Sequence, residues 1–203
     1  MVRRKVAVNR LVAITGGIAS GKSTALKIIE KLGYKTFNAD KTYKKLLLDE
    51  DFVCEISSKL NISPIEENGR KALDKRLVSK LVFNDEEKLK ILNSVTHPKI
   101  MDTMITSAKE CNSTVFLEVP LLYEGNFENL FDFVLVLTRA DGVRFESASK
   151  RDGKTVEEIK EIAQKQFNYA NITNNAHTFI IENNGDEDCL AEKIKVAIKT
   201  IES

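Results

Sequence analysis

The chain has 203 residues and a mass of 22.8 kDa, which suits one compact domain or one domain carrying an insertion. At 42% hydrophobic and 30% charged, with 9 Gly and only 3 Pro, it falls outside the collagen-like, low-complexity and broadly disordered classes. Lys and Arg number 31 against 30 Asp and Glu, a formal charge of +1, so the overall basic excess of a polynucleotide binder is missing, although a local patch can hide in that balance. No apolar stretch approaches the roughly 20 residues of a membrane span. The apolar run at residues 11–14 is too short for a signal segment and ends in a glycine loop. Cys54, Cys111 and Cys189 are far apart without a CxxC, and His occurs twice, so neither a disulfide framework nor a zinc site is expected. The chain reads as cytoplasmic, with a short basic tail at residues 1–10 (Arg3, Arg4, Lys5, Arg10) ahead of its first strand.

In chain order, residues 11–15 read as an apolar strand, and helical spacing over 22–32 stops at Gly33. Residues 34–38 read as a second strand. Residues 40–113 then show helical periodicity and no convincing strand, far more chain than the single helix a parallel crossover needs. The break near residues 63–69 and the His97-Pro98 pair would divide the helices of this stretch. Three further apolar strands follow at residues 114–119 (TVFLEV), 133–137 (FVLVL) and 179–182 (FIIE), and then an amphipathic helix over 186–201. Nearly continuous apolar strands alternating with helices predict a three-layer α/β sandwich around a five-stranded parallel sheet. Its core would span residues 11–40 and 113–203, with a helical insertion at 41–112 that forms a separate lobe for a second substrate.

Between the first strand and the first helix lies Gly16-Gly17-Ile18-Ala19-Ser20-Gly21-Lys22-Ser23, a full match to G-x-x-x-x-G-K-[ST] in the strand-to-helix context that motif requires. Glycines let the backbone wrap phosphate oxygens with successive N–H groups pointing inward. The following helix adds the positive end of its dipole. Lys22 is expected to reach the β- and γ-phosphates, Ser23 to hold Mg²⁺, and Thr24 to contact an α-phosphate. The sequence therefore predicts a P-loop nucleoside triphosphatase fold that takes a triphosphate with Mg²⁺.

Other residues narrow the chemistry. None of the aspartates begins a D-x-x-G, which excludes a GTPase despite the superficially similar Thr138-Arg139-Ala140-Asp141. Glu118 at a strand end is a weak candidate for the acidic metal-side residue of a larger ATPase. Asp40 follows the second strand, where a carboxylate can accept a hydroxyl proton during phosphoryl transfer, or can simply cap the next helix. Arg144 and Arg151 lie two turns apart on one face of a predicted helix, and arginine suits a moving phosphoryl group. The helix is broken by Gly153, as the tip of a lid at residues 141–156 would be.

Taken together, residues 15–24, Asp40, residues 73–83 (LDKRLVSKLVF), 96–98 (THP), 119–124 (VPLLYE), 150–153 (KRDG), Gln166 and 182–185 (ENNG) resemble the dephospho-coenzyme A kinase family. The resemblance runs from Val12 to about Ile194. It implies a P-loop core, a helical domain that binds the coenzyme A substrate, and a lid. It implies an enzyme that phosphorylates the ribose 3′-hydroxyl of dephospho-coenzyme A with ATP and Mg²⁺. Asp40 would be the general base, with Lys22, Arg151 and Arg144 stabilising the transferring group. Gly17, Ile18, Ala19, Ser20, Gly21, Lys22, Ser23 and Thr24 would cradle the nucleotide, and Asn183 and Gly185 would lie beside its adenine. Lys75, Arg76, His97, Pro120, Leu121, Leu122 and Glu124 would face the acceptor, His97 being as well explained by packing. The implied partners are small molecules, with neither nucleic acid nor membrane, on a monomer or weak homo-oligomer.

The family pattern is not matched everywhere. Its D-A-D reads Asn38-Ala39-Asp40 here, its second lid arginine is Ser147, its A-D before the last strand is Ala176-His177, and Lys75 stands at an arginine position. Another small-molecule P-loop kinase and a non-catalytic nucleotide-binding module are the alternative readings.

Overall fold

The structure, a computed structural model, describes residues 9–203; most of the basic tail anticipated at residues 1–10 lies outside the described residues. Strand β1 (Leu11–Gly16) leads through the glycine loop into α1 (Lys22–Lys31) and β2 (Lys35–Asn38). Helices α2 (Ala39–Leu46) and α3 (Glu50–Leu60), strands β3 (Ile65–Glu67) and β4 (Arg70–Ala72), and helices α4 (Lys75–Asn84) and α5 (Glu86–Lys109) come next. The chain continues with β5 (Val115–Glu118), β6 (Phe133–Thr138), α6 (Asp141–Asp152), α7 (Val156–Gln164), β7 (Thr178–Glu182) and α8 (Glu187–Ile201). It divides into two compact units, residues 38–107 and the remainder.

The first unit holds a five-stranded parallel sheet in the order β2-β5-β1-β6-β7, with flanking helices. Strand β1 is buried along its whole length because β5 and β6 pair with its two sides, Ile14 lying opposite Glu118 and Leu135. A strand so placed can only be apolar on both faces, which is why Leu11, Val12, Ala13 and Ile14 are consecutive. Helix α1 contributes Leu26, Ile28 and Ile29 to the core, and α8 contributes Leu190, Ile194 and Ile198 at helical spacing. The strand order diverges at β1, with β5 and β2 on one side and β6 and β7 on the other. The carboxyl end of such a strand is where open α/β sheets bind ligands.

The second unit spans residues 38–107, against the 41–112 expected for the insertion. Its core is built on Phe52, Val53, Ile56 and Leu60 of α3, with Leu73 and Val78 packed against them. Two expectations fail here. The region does contain strands: β3 and β4 form an antiparallel hairpin with Ile65 opposite Ala72, closed by Asn68 and Gly69 at φ 52 and 72. Both residues at positive φ give the tight turn that favours Asn-Gly. Glu66 lies opposite Lys71 and Glu67 opposite Arg70, so the register sets opposite charges across a ladder that has no apolar alternation. Nor does His97-Pro98 divide the helices, since Pro98 lies inside the continuous α5. Proline withdraws one N–H from the Ser94 carbonyl, and Ser94 is exposed, so water can serve that oxygen.

Residues 141–156, expected from sequence to form a lid, begin a pair of helices. Helix α6 ends at Asp152, Gly153 caps it at φ 65, and α7 continues the structure to Gln164, so a helical pair replaces a short segment ending at residue 156. Thr155 and Glu158 form a reciprocal capping box that starts α7.

Replacing Ile14 with Ala should destabilise the sheet unit by about 2–5 kcal/mol, because the site is closed on every side and cannot collapse. Urea unfolding should show this as a lower midpoint with an unchanged slope.

Candidate active site

Gly21, at φ 102, is the N-cap of α1 and makes no side-chain cap, and the first turn of α1 carries no acidic residue. The helix therefore begins with neither a capping side chain nor an acid in its first turn, the arrangement that leaves room for an anion. A Cβ on Gly21 would collide with Asn183 Nδ2. That amide donates to Ser20 O at 3.0 Å from a buried position, bracing the loop against the end of β7. Lys22 folds over the loop, its Nζ 2.7 Å from Gly16 O and 2.9 Å from Gly17 O. Ala19 takes a left-handed φ of 54. Ser20 is buried, and its Oγ has no hydrogen-bond partner.

On the outer side, Ile18 N donates to Gln166 Oε1 at 2.8 Å. A Cβ on Gly17 would stand 3.1 Å from Arg144 Nη1, so the bare glycine admits the α6 arginine to the loop. The chain beyond α7 is tied down repeatedly. Phe167 N donates to Glu124 Oε1 at 2.9 Å, Phe167 stacks on Tyr123 at 4.6 Å, and Tyr169 OH lies 3.1 Å from Thr15 Oγ1.

The loop and the helical pair enclose an open cleft of about 610 Å³, which Gly17, Ser20, Arg139, Arg144, Lys160 and Phe167 help to line. Arg144 is largely buried, its Nε 2.7 Å from Asp141 Oδ1 and its guanidinium 4.4 Å from the Phe145 ring. Arg139 has a buried Nε without a partner. Arg151 is not among the lining residues. Its Nε and Nη2 donate to Asp152 at 2.7 and 2.8 Å, and it remains mostly exposed. Two turns of helix put it on the face of Arg144 but about 10 Å further along the axis. Arg151, which the family resemblance favours over Arg144, therefore lies apart from the residues that line the cleft.

Ser23 Oγ lies 3.4 Å from Glu118 Oε1, and Glu118 is buried at the end of β5. Thr24 follows on α1. Gly185 is exposed, with Cys189 close behind its Cα. Leu122 is wholly buried, so its side chain packs in the interior and has no surface for an acceptor. Pro120 and Leu121 are half-buried, and Pro120 O lies 3.5 Å from Tyr169 OH. Glu124 is engaged by Phe167 N.

Within the second unit, Asp40 is exposed in the first turn of α2. It does not cap the helix: Asn38 does, its Oδ1 accepting from Lys41 N at 2.9 Å. Lys75 and Arg76 are exposed at the start of α4, which Asp74 caps, and His97 is half-buried in α5. Sequence reasoning missed Lys160, Phe167 and Tyr169, and read Arg139 only as part of a GTPase mimic. The aromatic pair in the otherwise polar QFNY stretch was the available signal.

A family model described as dephospho-CoA kinase matches residues 10–188. The chain belongs to the dephospho-CoA kinase family. The dephospho-CoA kinase of Fusobacterium nucleatum is 30% identical over 192 residues, covering 94% of this chain and 98% of that one. That of Chlorobaculum tepidum is 28% identical over 198 residues, 94% of each. Among solved structures, a Thermus thermophilus protein matches with TM-score 0.77 at 26% identity, over 96% of this chain and 98% of its own. The dephospho-CoA kinase from Campylobacter jejuni matches with TM-score 0.67 at 28% identity, over 95% and 96%. A gluconokinase from Sinorhizobium meliloti, 12% identical with TM-score 0.52, shares the fold alone.

Two outcomes test this geometry. Gly21→Ala should lose nucleotide binding and melt lower than wild type, because the new Cβ displaces Asn183 and strains a positive φ. Burial pushes the Tyr169 hydroxyl from the ordinary 10.0 up to about 12. A raised native value contributes stability that is intact below pH 10 and lost as pH climbs toward 12. Tyr169→Phe should therefore flatten the alkaline fall in urea stability across that window, and equal slopes in both proteins would contradict the assignment.

Proposed function

We propose that this chain transfers the γ-phosphoryl group of ATP to the ribose 3′-hydroxyl of dephospho-coenzyme A, giving coenzyme A and ADP. The observation that carries the reading is Arg144 against Gly17, a lid cation admitted to an anion-ready loop, in a member of this family. The loop amides and the start of α1 would hold the β- and γ-phosphates, with Lys22 moving from the loop carbonyls to the phosphate oxygens. Asp40 would accept the proton as the ribose oxygen forms its bond to phosphorus and the bond to the β–γ bridging oxygen breaks. Because Asn38 already caps α2, the Asp40 carboxylate is not committed to that task. Arg144, rather than Arg151, would neutralise the charge that moves with the phosphoryl group, with Arg151 available to the acceptor side.

The Ser23 hydroxyl and the Glu118 carboxylate are hard oxygen donors suited to Mg²⁺, and they would hold it directly or through its waters. When bound, the ion supplies charge neutralisation at the β- and γ-phosphates. Asn183 acts on this reading by bracing the loop, and Asn183 and Gly185 would border the adenine. Lys75, Arg76, His97 and the exposed parts of residues 120–124 would serve the acceptor. We assign the reaction to the cytoplasm, on a monomer or weak homo-oligomer without nucleic-acid partners.

ADP release measured with dephospho-coenzyme A against nucleosides and sugars decides the acceptor. Turnover with dephospho-coenzyme A is expected. Turnover with a nucleoside or sugar alone would favour another small-molecule kinase, and nucleotide binding without turnover would favour a binding module. Asp40→Asn should lower kcat by about 10² or more with folding unchanged. An unaltered kcat would remove Asp40 from proton transfer.

A further inference from the structure

A phosphate-binding loop made of Gly, Ala, Ser and Ile has little side-chain packing to hold it, so its outer rim depends on whatever grips its backbone. One group outside the loop and α1 grips an N–H on that rim. Gln166 Oε1 lies 2.8 Å from Ile18 N across 148 residues of sequence. An amide N–H can only donate, so the carboxamide must present its oxygen here. Gln166 is itself fixed from both directions. Its own N donates to Ala163 O at the end of α7, and α7 packs on α6. On its other side Phe167 is held by Glu124 and Tyr123, and Tyr169 meets Thr15 at the root of the loop.

We propose that Gln166 is a positioning residue for the phosphate loop: through the Ile18 N–H it sets the rim of the loop before nucleotide arrives. The proposal rests on the reading of this loop as the ATP site. It makes affinity for phosphate-bearing nucleotides depend on Gln166, while affinity for the acceptor does not. Tyr169 and Phe167 act as the mount that keeps the carboxamide in register.

The test uses the full chain and three readouts: hydrogen exchange at the Ile18 amide, ADP affinity by calorimetry, and steady-state kinetics. Gln166→Met keeps the length of the side chain and removes the acceptor. It should speed Ile18 exchange and weaken ADP affinity and KM for ATP by about three- to tenfold, the worth of one hydrogen bond, with kcat and acceptor KM within about twofold. Gln166→Glu retains an oxygen for Ile18 and should restore its protection from exchange. If Gln166→Met melts well below wild type, Gln166→Asn, which withdraws the oxygen but keeps the amide, should give the same losses. Unchanged Ile18 exchange, unchanged ADP affinity, or an equal loss of acceptor affinity would overturn the proposal. Lys22→Ala separates it from the reading beneath it. Loss of ADP binding in Lys22→Ala with wild-type binding in Gln166→Met overturns the positioning role alone. Wild-type ADP binding in Lys22→Ala overturns both.

Discussion

On the proposed reading of the loop, one constraint organises the structure: backbone N–H groups must converge on an anion with no side chain in the space between them. A loop built that way cannot stabilise itself by packing, because the residues that allow the close approach have nothing to pack. Support has to come from outside. Asn183 supplies it at Ser20 O and Gln166 at Ile18 N, from positions late in the chain. Asn183 is held in turn by its own N–H to Thr138 O, continuing the pairing of β7 with β6. The sheet order that puts β6 beside β1 is thus what lets a residue 163 positions away buttress the loop.

The near-neutral net charge is compatible with an anion site because the charges are distributed unevenly. Arg139, Arg144 and Lys160 line one cleft together with a single acid, Asp141. Asp141 is 71% exposed while its partner Arg144 is 17% exposed. A pair with one solvated member is worth at most about 1 kcal/mol, so a phosphate can displace it at little cost. Asp141 also occupies the first turn of α6, where the helix dipole favours an acid with or without the arginine. The pair therefore keeps Arg144 oriented without binding it tightly.

The parallel sheet, the loop and the terminal helix were legible because each is encoded locally, by apolar runs, by a fixed spacing of glycines and lysine, or by helical periodicity. The β3–β4 hairpin was not, since its strands are exposed and charged and offer no alternation; only Asn68-Gly69 announced it. Pro98 misled because proline usually ends helices, and here an exposed carbonyl tolerates the missing donor. In the site, the loop residues could be read directly, but their braces could not. Gln166 and Asn183 act over sequence separations of 148 and 163, and no spacing rule reaches that far. Arg144 and Arg151 share a helix face by spacing and the resemblance favours Arg151, whereas the structure brings Arg144 to Gly17 and leaves Arg151 in the bidentate grip of Asp152.

The departure from the family pattern at Asn38 follows the same logic. The first position of that motif is the N-cap of α2, a role in which asparagine and aspartate are nearly interchangeable, because either presents an oxygen to the N–H two or three residues on. Substituting the amide there preserves the helix start and removes one negative charge from a segment expected to meet polyphosphates. The second position cannot be exchanged on those terms. Asp40 takes no part in the cap and lies exposed in the first turn of α2, where the helix dipole favours an acid without tying up its oxygens. On the proposed reading, folding constrains the first position, which needs only an oxygen for the cap, and proton transfer constrains the second, where the carboxylate stays uncommitted to the helix start.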